Sequence, residues 1–205
     1  MKNSYKNLKE GFVSERVVEI DFLIEVYNKY FSEGKSVLDI GGIPSRDYEN
    51  QSLIDTIKNS GAEYYVSDFR GGDFKGDFVS YNFGNRKFDI EIFLSSLEHF
   101  SQCTEGDMKF RDHEDYNGFQ KALSILNDDG VIFLTIPYGI DKWYNYHQSY
   151  DSKTILELTK GSKIIEEFIY VYDGSEWVLK TSKEINEMEI DNGVVTSVGC
   201  FVCSK

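Results

Sequence analysis

Two carboxylates stand at the ends of neighbouring apolar runs, and two glycines follow the first of them. Ser36-Val37-Leu38-Asp39-Ile40-Gly41-Gly42 has the form of a short strand closing on an acid and a glycine pair, and Tyr64-Tyr65-Val66-Ser67-Asp68 is a second run ending in an acid. Glycines at a strand end let the backbone approach a ligand closely, and the amides that open a following helix can face an electronegative group. Such glycines are also ordinary turns, and acids beside them cap helices. The run Phe88–Leu94 adds a third strand end at Ser95-Ser96. In an open α/β sheet, ligands bind at the carboxyl ends of the strands, where Asp39, Asp68 and Ser95-Ser96 all fall.

The glycine pattern narrows the ligand. A dinucleotide loop, G-x-G-x-x-G, needs glycines where this chain has Ile43 and Arg46, and no G-x-x-x-x-G-K-[ST] loop is present. A nicotinamide dehydrogenase and a P-loop ATPase are therefore disfavoured. Asp68 is placed to accept both hydroxyls of a ribose, and Asp39 to face an amino group or brace the loop. A carboxylate-lined site of this kind suits an adenosyl ligand bearing an amino group and a sulfonium.

Proton-transfer candidates are few. Of the three histidines, His99 follows the third strand end, His147 lies in an aromatic-rich stretch after a later strand, and His113 sits in the charged run Arg111–Asp115. His147 and His99 are the predicted catalytic bases, with a surface or structural hydrogen-bonding role as the alternative for each. Tyr138, Trp143, Tyr144 and Tyr146 have the character of a substrate wall, and equally of an oligomer contact or a lid over core. Asp107, Asp112, His113, Glu114 and Asp115 are hard-ligand types, but their near-consecutive run is that of a solvated acidic face, so no metal is expected. Cys200-x-x-Cys203 lies inside a strand-like run rather than at a turn, which predicts structural thiols.

The elements that must position these groups follow from periodicity. Apolar residues at Phe12, Val13, Val17, Ile20, Leu23, Ile24, Tyr27 and Phe31 predict a helix over 12–31, which Gly34 breaks. Strands are predicted at 36–40, 63–67, 77–81, 88–94 and 131–136, and helices at 47–59, 114–126 and 153–160. Pro137 ends the nearly continuous apolar strand 131–136. Glu91, in the middle of 88–94, predicts that this strand tilts or reaches an exposed face. The last part is strand-rich, with runs at 164–172, 177–180 and 194–203 and a turn at Asp173-Gly174-Ser175. Alternating elements followed by strands predict an α/β fold: a mostly parallel sheet with C-terminal antiparallel strands and helices on both faces.

The 205 residues suit one domain: a helical segment over 1–34, a ligand-binding core over 35–137, and a substrate-side loop with the closing strands over 138–205. A formal net charge of −13 argues against nucleic acid or an anionic membrane as the main partner. It favours a small neutral or cationic ligand, or a sugar whose charge is handled locally. With no long apolar run and a polar start, a cytoplasmic protein without a membrane span is expected, and a homo-oligomer is compatible with the aromatic stretch.

With these segments in place, the chain resembles the Rossmann-like class of S-adenosylmethionine-dependent methyltransferases. Val37–Gly42 looks like the family's glycine-rich first motif, Asp68 like the acid after its second strand, and Phe88-Asp89-Ile90 through Ser95–Phe100 like its fourth strand and "EH" segment. Ala122–Val131 is similar to the helix, turn and fifth strand often written "L-x-P-G-G". The resemblance covers about residues 33–137 and implies a seven-stranded sheet and bound S-adenosyl-L-methionine. Asp39, Gly41 and Gly42 would lie beside the methionine part, Asp68 on the ribose, Asp77 near the adenine, and Ser95 and Leu97 beneath the sulfonium. Pro137-Tyr138-Gly139 with Asn145–Tyr150 also resembles a branch associated with glycan or polysaccharide assembly. Ile43-Pro44-Ser45 departs from the first motif, and Gln148 stands where that branch carries arginine. The implied activity is methyl transfer to an oxygen or nitrogen of a small molecule or sugar; the departures leave a catalytically silent binding or scaffold protein as the alternative.

Overall fold

The computed structural model describes residues 1–2, 4–6, 14–42, 51–101, 113–144, 147–181, 185 and 196–205. In chain order the elements are β1 (Ser4–Lys6), α1 (Arg16–Tyr30), β2 (Ser36–Ile40), α2 (Gln51–Asn59), β3 (Glu63–Asp68), β4 (Phe74–Lys75), β5 (Phe88–Leu94), the 3-10 turn η1 (Leu97–His99), α3 (Glu114–Ile125), β6 (Leu126–Pro137), β7 (Lys142–Tyr144), β8 (His147–Ser149), α4 (Ser152–Leu158), β9 (Lys163–Tyr172), β10 (Glu176–Lys180) and β11 (Ser197–Ser204).

Nine strands form one sheet in the order β1-β10-β9-β11-β6-β5-β2-β3-β4. The β4-β3-β2-β5-β6 part is parallel, and β11, β9, β10 and β1 are antiparallel to their neighbours. The predicted α/β sheet with antiparallel closing strands is present. Seven strands, β4 to β9 in this order, make the expected sheet, and β10 and β1 extend it beyond β9. Because β2 lies between β3 and β5, the chain leaves it in one direction and later returns on its other side. That reversal places the crevice at the carboxyl ends of β2 and β5.

Successive residues of the central strands alternate between two apolar layers. Val37, Ile92, Phe133 and Cys200 pack with α1 and α2 on one face. Leu38, Phe93, Leu134 and Phe201 pack with α3 and α4 on the other. The two faces explain why the central strands are apolar at nearly every position. Cys200 and Cys203 therefore face opposite layers, and burial drives the Cys200 thiol far up and the Cys203 thiol to about 12. They are free, structural thiols, as their place in a strand predicted; Cys103 lies outside the described residues.

Several boundaries differ from the sequence expectation. In α1 the buried stripe is Val18, Phe22, Leu23, Val26 and Tyr27, one step round from the predicted one; Val17, Ile20 and Ile24 are only partly buried. Apolar residues on most sides of this helix allow either face. The predicted strand at 77–81 is a turn: Asp77 Oδ1 accepts the N–H of Val79 at 3.2 Å, and the short strand falls instead at Phe74–Lys75. Neither β1 nor the β7–β8 hairpin was signalled. Glu91 does not reach solvent. It is fully buried with no hydrogen bond to either carboxyl oxygen among the described residues, and burial raises its carboxyl well above the usual range. At α4 the Asp151 carboxylate accepts the Thr154 N–H at 2.8 Å and Thr154 Oγ1 accepts the Asp151 N–H at 2.9 Å, a reciprocal cap that stabilises the helix start by about 1 kcal/mol.

Candidate functional site

The crevice is built from three strand ends. Gly41 continues β2 with φ of +84° and donates its N–H to Ser67 O at 2.8 Å. A side chain at Gly41 would begin 2.5 Å from Cβ of Ser96, and one at Gly42 would begin 2.5 Å from Oδ2 of Asp39. Gly41 is thus required by close approach and by its backbone conformation, while a Cβ at Gly42 would displace the Asp39 carboxylate. Ser96 Oγ donates to Ile40 O at 2.6 Å and ties the end of β5 to the end of β2.

Asp39 receives a hydrogen bond from the Tyr64 hydroxyl at 2.7 Å on Oδ2. Burial of its carboxyl group is the largest influence and raises its pKa to about 6; Asp68 adds to the rise, while Tyr64 and Arg16 oppose it. Asp68, 8% exposed, accepts the Arg70 N–H on Oδ1 at 2.7 Å; Oδ2 has no hydrogen bond among the described residues. Phe69, the next residue, is 44% exposed, and with Arg70, Lys75 and Gly76 it lines an open depression beside the β3 and β4 ends. An exposed aromatic ring adjoining a free carboxylate oxygen offers a face and an acceptor to a nucleoside. Asp77 is held in its own turn by Val79 and Ser80.

Ser95 has a φ of +42°, one of two described non-glycine residues with positive φ. Backbone of this kind is costly and is held here by its neighbours: its N–H bonds Thr135 O and Oγ1, each at 3.1 Å, and its hydroxyl donates to Glu19 of α1. Glu19 is fully buried and pairs with Arg16 at 2.8 Å. Burial alone would lower the Arg16 pKa, but Glu19, Glu15 and Glu98 together raise it. Leu97 is fully buried beneath α3, in contact range of Gly118, rather than facing the crevice.

The two predicted bases come together. His99 in η1 and His147 in β8 meet edge to face with ring centroids 6.4 Å apart. Burial first, then the charge of His99, lowers the His147 pKa below 6.5. Trp143 lies on the same hairpin, paired across from Gln148, whose side-chain amide donates to Asp141 at 2.6 Å. Tyr138 is 1% exposed and packs on Phe201, with its hydroxyl driven by burial to about 12; its place is core. Tyr146 lies outside the described residues, as do Ile43–Ser45 and Asp107 and Asp112 of the acidic run. Another acid of that run, Asp115, accepts the buried Tyr150 hydroxyl at 2.8 Å. Among the described residues no three His, Cys, Asp or Glu side chains gather to hold a metal, and no described helix is long and apolar enough to cross a membrane.

Arg16, Glu19 and Phe69 were not signalled as site residues. Arg16 and Glu19 lie in a helix whose apolar spacing hides them, and Phe69 is one of many aromatics.

No family model and no curated protein matches the sequence. Solved structures do match. A TehB-like S-adenosylmethionine-dependent methyltransferase of Corynebacterium glutamicum superposes with a TM-score of 0.55 at 11% identity, over 90% of this chain and 87% of the other. An S-adenosylmethionine-dependent methyltransferase of Clostridium acetobutylicum gives 0.54 at 12% identity, over 95% and 92%. Coclaurine N-methyltransferase, bound to N-methylheliamine and S-adenosylhomocysteine, gives 0.58 at 12% identity, over 100% and 75%. The chain therefore has the Rossmann-like fold shared by S-adenosylmethionine-dependent methyltransferases.

Proposed function

We propose that this protein transfers a methyl group from S-adenosyl-L-methionine to an oxygen or nitrogen of a small molecule or sugar. The observation that carries this reading is the convergence of Asp39, the Gly41-Gly42 pair, Asp68 and Ser95 at adjoining strand ends around the switch point. The residues fit the cofactor: the two glycines let the loop after β2 close on Ser96 and Asp39 where any Cβ would collide, Asp39 offers a carboxylate to an amino group, and Asp68 Oδ2 offers one to a ribose. Phe69 supplies an apolar face next to Asp68. When bound, the cofactor supplies an electrophilic methyl group on a sulfonium. The chain's own part is to hold the acceptor in line and take its proton, for which His147 and His99 are the candidates, with Trp143 as a wall. A glycan-linked acceptor rests only on the Pro137–Tyr150 likeness, and Gln148 is engaged by Asp141.

Calorimetry with S-adenosylmethionine tests the reading: micromolar binding with competition by S-adenosylhomocysteine is expected, and no binding at millimolar ligand sinks it. A second reading, a catalytically silent binding or scaffold protein, is favoured by one contact. The Ser95 hydroxyl, at the end of β5, is already taken by Glu19. Cofactor binding without turnover on any acceptor would support that reading.

A further inference from the structure

Glu98 is the acid to which methyl transfer, as described above, gives no task. It lies in η1, just beyond Ser95-Ser96, and is 2% exposed. Its Oε2 accepts no hydrogen bond among the described residues, and its Oε1 stands 3.8 Å from Nε2 of His99. Arg16 and Glu19 of α1 flank it electrostatically, and beyond His99 lies the ring of His147. Buried carboxylates are ordinarily paired or hydrogen-bonded. The nearby Arg16 guanidinium is engaged by Glu19 at 2.8 Å and reaches Glu98 only through its field, which leaves Glu98 without a direct Lys or Arg ion pair among the described residues.

We propose that Glu98 anchors the acceptor and that the acceptor is an amine, arriving as a cation. This rests on the methyl-transfer reading of the neighbouring strand ends. An ammonium group supplies a charged donor for Oε2, and charge-assisted hydrogen bonds of this type are about twice as strong as neutral ones. An anionic acceptor offers Oε2 no such donor, and its charge beside the buried acid would oppose ionisation of Glu98 rather than favour it. Burial, reinforced by Glu19 and Glu15, holds the Glu98 carboxyl at about 8; an adjoining cation lowers that value, so the acid charges as the amine binds. The net charge of −13 draws cations towards the molecule. His99 and His147 then stand beside the amine, where a proton must leave before nitrogen can act as a nucleophile.

The test uses the full chain saturated with S-adenosylhomocysteine. n-Butylamine, benzylamine and phenethylamine are titrated against their alcohol and carboxylate counterparts by ligand-observed NMR and calorimetry. At least one amine is expected to bind at least tenfold tighter than its alcohol, with the carboxylates weaker still. Glu98→Gln keeps the shape, removes the charge, and is expected to abolish that preference while S-adenosylhomocysteine affinity stays within about twofold. The wild-type comparison stands without the variant should Glu98→Gln fail to fold. Equal affinity for amine and alcohol, an amine preference that survives in Glu98→Gln, or no amine binding to the saturated protein overturns the proposal alone. Failure of S-adenosylhomocysteine itself to bind overturns the methyl-transfer reading and this proposal with it.

Discussion

The Ser96 hydroxyl donates to the carbonyl oxygen of Ile40 at 2.6 Å, across the junction of β5 and β2. The same serine's Cβ is what a side chain on Gly41 would strike, at 2.5 Å. Gly41→Ala is therefore expected to lose about 1–3 kcal/mol through overpacking, with a further ~1 kcal/mol from the left-handed backbone. Denaturant unfolding measures the loss, and a variant as stable as the parent would contradict the geometry. Gly42→Ala, which presses on the Asp39 carboxylate instead, is expected to weaken cofactor binding more than it weakens folding.

Asp68→Ala removes the acceptor proposed for the ribose. Cofactor affinity is expected to fall roughly tenfold or more, as one to two hydrogen bonds to a charged group are lost. Calorimetry reads this directly, and unchanged affinity would count against the site. Part of any loss in stability comes from the Arg70 N–H, which Asp68 also caps.

The Asp39 carboxyl titrates near 6 in the folded chain against 3.8 in its ordinary state. An acid whose pKa is raised on folding binds its proton more readily in the native state, so its contribution to stability falls as pH rises between these two values. Asp39→Asn is expected to melt higher than the parent at pH 7, with the difference vanishing near pH 4. Melting curves across that window check the sign; a parent more stable than the variant at pH 7 would reverse it. The same substitution should weaken the cofactor, since the group that destabilises the free protein is the one offered to an amino group.

Much of this architecture is legible in the residues. The strands β2, β3 and β5 fall where apolar runs end in Asp39, Asp68 and Ser95, because a doubly covered parallel sheet requires continuous apolar sequence. What is not legible depends on contacts far apart in sequence. The burial of Glu91 is set by what packs over β5, and the Glu19–Ser95 bond joins a helix and a strand end with no shared motif. The β1 strand is short and acquires its conformation only by pairing with β10. Likewise, Tyr138 and Trp143 are similar aromatics in one stretch, and only the packing of Phe201 decides that the first is core.

Glu91 carries a prediction of its own. A buried acid with neither oxygen bonded is a liability that a side chain of similar length and no polarity removes. Glu91→Met is expected to raise stability by about 1–4 kcal/mol. The gain should grow as pH rises above 4.5, where the unfolded acid ionises while the folded one resists. Unfolding midpoints at pH 5 and pH 8 test both the sign and the slope.

If His147 takes the acceptor's proton, the acidic limb of the pH–rate profile lies below 6.5, because burial and His99 hold the ring neutral. His147→Asn is expected to abolish that limb and lower turnover by about 100-fold or more. A limb that persists in the variant would transfer the role to His99 or to Glu98.

The pairing of Ser4 with Val178 across β1 and β10 sets the order in which the molecule can be completed. β1 leaves the ribosome long before its partner, which lies far along the sequence. Until β10 emerges and docks on β9, β1 has nothing to join, and contacts spanning nearly the whole chain slow assembly. In a nascent chain, or one shorn of its first six residues, β10 becomes the outer strand with an open row of backbone donors and acceptors. Such an edge recruits other strands, so the small N-terminal strand acts as the latch that keeps a newly made molecule from pairing with its neighbours.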